Sequence, residues 1–224
     1  MKKVQGVILD LDGTLVDSNQ GRIAAWVEAF SESGYSVTHD RIRAMIGLVP
    51  HEILMRAVGF GEDAETGRKI RDRFRRIFLR RYLPRITPTY RARELLVHLE
   101  TEGFRLAVAS VDPPEVLLPI LRLLGAEPLL HRASYPAADG PLLTNRDILK
   151  GALDKLGLPP GRTLLIADAP HDVEAANKLG VSAIALTSGG FAAESLKSAV
   201  AVYADAYTLL AEIDRSPLAT PLAA

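Results

Sequence analysis

Residues 7–15, Val-Ile-Leu-Asp-Leu-Asp-Gly-Thr-Leu, join a short apolar run to two aspartates and a glycine turn. Such a run is typical of a strand buried on both faces of a parallel sheet, and open parallel sheets bind ligands at the carboxyl ends of their strands. Alternation along the strand would direct the side chains of Asp10 and Asp12 to the same face there. Two carboxylates so close need a shared proton or a cation, and Mg²⁺ prefers oxygen ligands. The stretch therefore predicts a functional strand end, although Asp-Gly also occurs in ordinary turns.

The composition limits the classes of function. The chain has 224 residues, 48% of them hydrophobic and 24% charged, which is typical of a globular protein of one large domain or two modest ones. Its formal net charge is zero, so nothing global indicates binding to nucleic acid or to an anionic membrane. The absence of cysteine excludes disulfides, thiolate metal sites and cysteine nucleophiles. We expect no signal peptide and no membrane span, because the first apolar run is short and interrupted by acids, and a cytoplasmic location then follows by default.

Strand and helix patterns alternate along most of the chain. Helical periodicity, often ended by a glycine, is found at residues 93–102, 115–124, 147–156 and 172–179. Buried strands are predicted at residues 4–11, 105–109, 163–167 and 182–186, with a weaker one at 129–133. This alternation predicts an α/β fold with a doubly wound parallel sheet covered by helices on both faces.

The segment 17–87 interrupts the alternation, because it shows helical patterns and no convincing strand. We therefore predict an all-helical domain, 17–87, inserted into a core built from residues 1–16 and 88–215. The last residues, 216–224, are rich in Pro and Ala and are predicted to form a loosely ordered tail. The insertion is also rich in arginine, for which both a solvated helix face and a basic surface that attracts an anionic substrate stay open.

Two further strand ends carry polar side chains. Asp168 directly follows the strand predicted at 163–167, and Asp172 lies at the start of the next helix, where an acid could cap the helix or support a metal. Ser110 ends the strand predicted at 105–109, beside a following helix, where its hydroxyl could donate to a phosphate oxygen. The chain thus places an acid pair, a hydroxyl and a second acid pair at successive strand ends.

The order and spacing of these groups resemble the haloacid dehalogenase superfamily of phosphatases, in its phosphoglycolate phosphatase-like branch. The resemblance covers nearly the whole chain and implies a Rossmann-like core with a mobile helical cap, here 17–87. The matching segments are Asp10-x-Asp12-Gly13-Thr14 for the first motif, Ser110 for the second, Asp168-x-x-x-Asp172 for the fourth, and residues 147–157 for the helix before it.

The resemblance implies a magnesium-dependent phosphatase that hydrolyses a small phosphorylated metabolite through an aspartyl-phosphate. Asp10 would attack phosphorus, and Asp12 would protonate the leaving oxygen and then activate water. The implied metal ligands are Asp10, the backbone carbonyl of Asp12, Asp168 and, directly or through water, Asp172. The implied phosphate-binding residues are Thr14, Ser110 and Val111. Asp12 favours phosphate chemistry over carbon–halogen cleavage, because the dehalogenases of the superfamily lack this acid.

The chain departs from the family pattern at the third motif. The lysine expected there is absent, since its position falls at Leu143. Lys150 and Arg146 are the nearby candidates to supply the charge, with a surface role on the helix as the alternative for Lys150. Asp112 adds an acid near the phosphate pocket, which would be unfavourable unless it turned outward or were paired.

These departures, together with alanines at 167 and 169 where the family has glycine and a hydroxyl residue, keep two alternatives open. One is a weakly active or inactive relative that keeps the site for binding or regulation. The other is a phosphosugar mutase that uses the same intermediate. The sequence does not indicate the oligomeric state.

Overall fold

The computed structural model of the chain describes residues 4–137 and 140–219. These residues form two compact units, one up to Val16 together with the chain from Pro88 onward, and the other Asp17–Thr87. At the junction, Val16 and Pro88 form an antiparallel bridge, and the Asp17 N–H donates to the Thr87 carbonyl at 2.9 Å. The two segments that connect the units are therefore paired with each other.

The first unit contains a six-stranded sheet in which every neighbouring pair is parallel. The strands are β1 (Gly6–Leu9), β2 (Arg105–Ala109), β3 (Ala133–Ser134), β4 (Thr163–Ala167), β5 (Ser182–Leu186) and β6 (Ala201–Tyr203). Their order in the sheet is β3-β2-β1-β4-β5-β6, so the strand order reverses between β1 and β4. In open α/β sheets a ligand crevice forms outside the strand ends at such a reversal. The predicted doubly wound parallel sheet is confirmed.

Every regular element of the unit Asp17–Thr87 is helical. Its helices are α1 (Asn19–Ser31), α2 (His39–Arg43), α3 (Pro50–Val58) and α4 (Glu65–Ile77), and α4 continues into a π-helical turn, Phe78–Tyr82. Trp26 of α1 is almost fully buried and stacks on Phe74 of α4, with ring centroids 4.1 Å apart. Aromatic burial of this kind supplies much of the core of a small helical unit.

The remaining helices cover the sheet: α5 (Ala92–Thr101), α6 (Pro114–Leu124), α7 (Asn145–Leu156), α8 (Pro170–Lys178) and α9 (Ala206–Ala211). The start of α7 is a capping box, in which the Thr144 side chain accepts from the Asp147 N–H and the Asp147 carboxylate accepts from the Thr144 N–H. Apolar residues of α7 and α8, among them Leu149 and Val173, pack with Ile8 of β1 in one buried cluster. This packing holds the first turns of α7 and α8 near the end of the sheet that the acids occupy.

The structure differs from the sequence expectations at weakly patterned segments. Residues Glu127–Arg132 form a 3₁₀ helix, and only Ala133–Ser134 pair as a strand. Strand β6 was not predicted, because it has three residues at the sheet edge, where exposure removes the apolar signal. Ser216 and Leu218 are buried, so the expected loose tail does not begin at 216, since the chain there still covers apolar surface. Residues 1–3 and 220–224 lie outside the described residues. Within the described ranges, no helix combines the length and apolar character that a bilayer crossing requires.

Candidate active site

The register of the sheet brings the polar strand ends together. Leu9 of β1 is level with Val108 of β2 and with Ile166 of β4. The residues that follow these positions, Asp10 among them, therefore leave the sheet at the same edge. The Asp10 N–H donates to the Ile166 carbonyl at 3.0 Å, which extends the pairing of β1 with β4 to the aspartate itself.

The turn after β1 holds the Asp10 carboxylate. Gly13 has φ of 75°, in the left-handed region that glycine adopts without strain. The N–H groups of Leu15 and Val16 donate to the Leu11 carbonyl at 2.8 and 2.9 Å, which closes the turn. Thr14 is fully buried, and its hydroxyl donates to Oδ2 of Asp10 at 3.0 Å. Thr14, which the sequence assigned to phosphate binding, thus contacts the predicted nucleophile in this structure.

The charge on the acids explains why this site needs a cation or a proton. Burial raises the pKa of Asp10 well above its usual value, and the carboxylates of Asp168, Asp172 and Asp12 raise it further, while the Thr14 hydrogen bond lowers it. Asp168 is 3% exposed, so water does little to screen its charge. The charges of Asp168, Asp172 and Asp12 therefore all act on Asp10 at the carboxyl end of the sheet.

Asp172 is held by the first residue of α7. Burial raises the pKa of Asp172, while the charge of His171 and the hydrogen bond from Asn145 lower it. The Asn145 Nδ2 donates to Oδ1 of Asp172 at 2.9 Å, and His171 Nε2 lies 3.8 Å from Oδ2. Sequence reasoning assigned no role to Asn145, although it lies in the segment where the family lysine is missing.

The acid cluster fits Mg²⁺ by its chemistry. Among the described residues, no three His, Cys, Asp or Glu side chains are arranged as a complete metal site. Mg²⁺ does not need such a cage, because it keeps several waters and takes one or two carboxylates together with substrate phosphate oxygens. Asp10 and Asp168 supply ligands of this type, and the repulsion that raises the pKa of Asp10 is the repulsion that a bound cation relieves.

Ser110 lies at the end of β2 and is buried at the same edge of the sheet as Asp10 and Asp168. Its N–H donates to the Ser134 carbonyl at 3.0 Å, and its hydroxyl oxygen accepts the Asp112 N–H at 3.1 Å. A serine hydroxyl that accepts one bond still has its hydrogen to donate, so Ser110 keeps the group that a phosphate oxygen needs. Val111, between them, is partly exposed. Asp112 is 4% exposed and so does not turn outward to solvent.

The two candidates for the missing lysine both lie on the exposed side of α7. The Lys150 Nζ pairs with Asp154 at 2.7 Å, one turn along the helix, and both side chains are more than half exposed. The Arg146 charge lowers the pKa of Asp147. These contacts favour the surface role that the sequence left open for Lys150.

One hydrogen bond to the turn after β1, which carries Asp10 and Asp12, comes from a segment that sequence reasoning did not single out. The chain after β5 forms a short 3₁₀ turn, Thr187–Gly189. The Ser188 hydroxyl donates to the Gly13 carbonyl at 2.7 Å, across 175 positions of sequence. Gly189 packs so closely on Asp168 that a Cβ there would lie 2.5 Å from the Asp168 Cβ. The only sequence signal was the Gly189-Gly190 pair after an apolar strand.

The chain is similar to known proteins over most of its length. Tyrosine-protein kinase PtkA of Mycobacterium tuberculosis is 32% identical over 186 residues, which cover 83% of this chain and 62% of that protein. This chain thus spans less than two thirds of the length of the kinases that it matches. Phosphoglycolate phosphatase of Pectobacterium atrosepticum is 26% identical over 200 residues, which cover 83% of this chain and 81% of that protein.

A solved structure agrees over nearly the full length. The crystal structure of a hydrolase from Pseudomonas syringae has a TM-score of 0.85 and 26% identity, and the match covers 96% of this chain and 100% of that one. The profile of the family described as haloacid dehalogenase-like hydrolase matches residues 7–186, from β1 to the end of β5. The chain therefore belongs to the haloacid dehalogenase-like hydrolase family.

Proposed function

We propose that this protein is a magnesium-dependent phosphatase that hydrolyses a small phosphorylated metabolite through an aspartyl-phosphate on Asp10. The observation that carries the proposal is the position of Asp10, held by Thr14 and surrounded by the charges of Asp12, Asp168 and Asp172. Similarity to phosphoglycolate phosphatases over more than four fifths of both chains supports it.

The proposed reaction has two displacements at phosphorus. In the first, an Asp10 carboxylate oxygen bonds to phosphorus while the bond to the leaving oxygen breaks, and Asp12 gives that oxygen a proton. In the second, water attacks phosphorus, Asp12 takes its proton, and the bond to Asp10 breaks. Thr14 restrains the carboxylate throughout, which favours an aligned attack.

The other residues bind and orient. Asp10 and Asp168, with the Asp12 carbonyl, would hold Mg²⁺, and Asn145 would keep Asp172 in place as a supporting acid. When bound, the ion neutralises negative charge on the carboxylate and the phosphate, so that one anion can approach the other. Ser110 would donate its hydroxyl to a phosphate oxygen. The unit Asp17–Thr87 would serve as a cap that excludes water and selects the substrate.

The test is a phosphate-release screen over a panel of phosphorylated metabolites, with and without Mg²⁺. We expect release from at least one small phosphoester, dependent on Mg²⁺ and lost in Asp10→Asn. Isomerised sugar phosphate without release would instead identify a mutase. No turnover, together with saturable binding of phosphate, would identify a binding or regulatory relative.

A second candidate function is phosphoryl transfer to a protein tyrosine, favoured by the 32% identity to tyrosine-protein kinase PtkA. Incubation with ATP labelled at the γ-phosphate distinguishes the two. An aspartyl-phosphate is an acyl phosphate, which hydroxylamine cleaves, whereas phosphotyrosine resists it. Label on the protein that survives hydroxylamine would favour the kinase.

A further inference from the structure

We propose that the turn formed by residues 187–190, after β5, holds two acids of the candidate site, Asp10 and Asp168, in position. Ser188 would set the orientation of Asp10 through the Gly13–Thr14 peptide, and Gly189 would set the place of the Asp168 carboxylate. The kinetic part of this inference rests on the proposed phosphatase function, whereas its structural part does not.

The first contact of the 187–190 turn fixes a peptide group. The Gly13 carbonyl accepts from the Ser188 hydroxyl at 2.7 Å, and the N–H of the same peptide, that of Thr14, donates to the Leu11 carbonyl at 3.3 Å. The peptide is thus held on both sides. Because the Thr14 hydroxyl donates to Oδ2 of Asp10, a rotation of this peptide would move the group that orients the nucleophile.

The second contact is a close approach of backbone to carboxylate. A Cβ built on Gly189 would overlap the Oδ2 atom of Asp168 and lie 2.5 Å from its Cβ. Real Cβ atoms do not come so near a heavy atom, so only glycine lets the turn lie against this side chain. The 187–190 turn therefore restricts sterically the positions that the buried Asp168 carboxylate can adopt.

Both contacts come from adjacent residues, so one short turn touches both sides of the cluster. Ser188 is exposed, so its substitution affects the buried core little, whereas a Cβ on Gly189 meets the buried Asp168 side chain directly. Displacements of about 1 Å in catalytic groups lower rates strongly. A positioning role thus predicts a large loss of rate with a small loss of stability at Ser188, and a large loss of metal affinity at Gly189.

The Ser188 contact is tested with Ser188→Ala and Ser188→Thr. We expect Ser188→Ala to lower kcat about three- to tenfold, the loss typical of one hydrogen bond, with KM within about twofold. Ser188→Thr keeps the hydroxyl and should recover most of the rate. The melting temperature should fall by less than about 3 °C in both. Equal rates in all three proteins, or an alanine variant that the threonine does not rescue, would overturn the assignment of Ser188.

The Gly189 contact is tested with Gly189→Ala and the control Gly161→Ala. A Cβ on Gly161, in the 3₁₀ turn Pro160–Arg162, meets nothing within 4 Å. We expect Gly189→Ala to weaken Mg²⁺ binding, measured by calorimetry, by about tenfold or more, and Gly161→Ala to leave it unchanged. Wild-type Mg²⁺ affinity and turnover in Gly189→Ala would overturn the inference.

A crystal structure of Gly189→Ala separates this inference from the proposed function. The inference requires the Asp168 side chain to move away from residue 189, whether or not the protein binds metal or turns over a phosphoester. If the wild-type protein hydrolyses nothing while Asp168 moves in the variant, the proposed function fails and the positioning role stands. An Asp168 side chain that has not moved would overturn the positioning role.

Discussion

The surroundings of Asp10 disfavour the charged form of its carboxyl group. Burial and three neighbouring carboxylates raise its pKa, and one hydroxyl opposes them. A raised pKa means that the folded protein binds this proton more tightly than the unfolded chain does. Stability therefore falls as the pH rises from the usual aspartate value of 3.8 through the raised pKa, and the full loss persists above it.

We expect Asp10→Asn to be more stable than the wild type at about pH 7.5 without Mg²⁺, by about 1 kcal/mol or more, because asparagine does not ionise. Turnover should fall at least about a thousandfold. Urea unfolding in EDTA across the pH range and steady-state kinetics measure the two effects.

The control is Asp147→Asn, in which the sign reverses. Hydrogen bonds from Thr144 lower the pKa of Asp147, so its contribution to stability is present above its usual pKa and is lost as the pH falls. This variant should be less stable than the wild type at neutral pH. An Asp10→Asn protein less stable than the wild type in EDTA would contradict the charge assignment.

Asp12 is half-buried, as suits a group that meets both substrate and water. Asp12→Ala should lower hydrolysis about a hundredfold or more, since it removes the acid and base of both steps. Mg²⁺ affinity from calorimetry should change much less, because only the backbone carbonyl of this residue is proposed to bind the ion. Equal losses of both would reassign the side chain as a metal ligand.

Lys150 tests which residue replaces the family lysine. The Lys150 ammonium group already forms an exposed ion pair with Asp154, and such pairs contribute little to stability. Lys150→Ala should therefore leave KM within about twofold of the wild type. A large increase in KM would show that Lys150 reaches the phosphate, and Arg146→Ala run in parallel tests the other candidate.

Sequence reasoning singled out Asp10, Asp168 and Ser110 because each directly follows an apolar strand, and a parallel sheet gathers such ends at one edge. It did not find Asn145 or Ser188. Asn145 contacts Asp172 across 27 positions, and Ser188 contacts Gly13 across 175. Such pairs depend on how separate elements pack, which no local pattern records.

At the scale of elements, the N-terminal cap of α7 stands next to a residue of the candidate active site. The helix begins at Asn145, the residue that holds Asp172, directly after the Thr144 cap. Elements with strong periodicity, such as α6 and β4, lay within one residue of their predicted bounds. Of the short edge strands, β3 shares only Ala133 with the predicted range 129–133 and β6 was not predicted, because two or three residues carry too little pattern.

Thr144→Ala should lower the free energy of unfolding by about 1 kcal/mol, because it removes the side chain that satisfies the Asp147 N–H. Thr101→Ala is the matched control, since its hydroxyl donates only to the Val97 carbonyl within α5 and its loss should matter less. Urea titration of both variants measures the difference. An equal effect at both positions would contradict the role of the capping box.

At the scale of the whole molecule, the unfolding of the two units can be followed by different spectroscopic signals. The chain has a single tryptophan, Trp26, which lies in the core of the unit Asp17–Thr87. The proposed metal ligands all lie in the other unit. Fluorescence excited selectively at tryptophan therefore follows the helical unit alone, whereas circular dichroism follows both units.

We expect the fluorescence transition in guanidinium to occur at lower concentration than the dichroism transition, because small units bury a smaller fraction of their surface. Added Mg²⁺ should shift the later part of the dichroism transition to higher guanidinium concentration and leave the fluorescence transition in place, since the ion is proposed to bind the other unit. Coincident transitions that shift together would show that the chain unfolds as one cooperative body.

The backbone pairing of Val16 with Pro88 and of Asp17 with Thr87 offers two points at which the chain could be cut and rejoined. The segment between Val16 and Pro88 is one long loop that is closed at its base by their backbone bridge, which lies outside the six-stranded sheet. Excision of that loop and its closure by a two-residue Asn-Gly turn would preserve every strand pairing. Donor segments from relatives could be grafted at the same two points, and under the proposed function such chimeras would exchange substrate choice and keep the chemistry of the recipient.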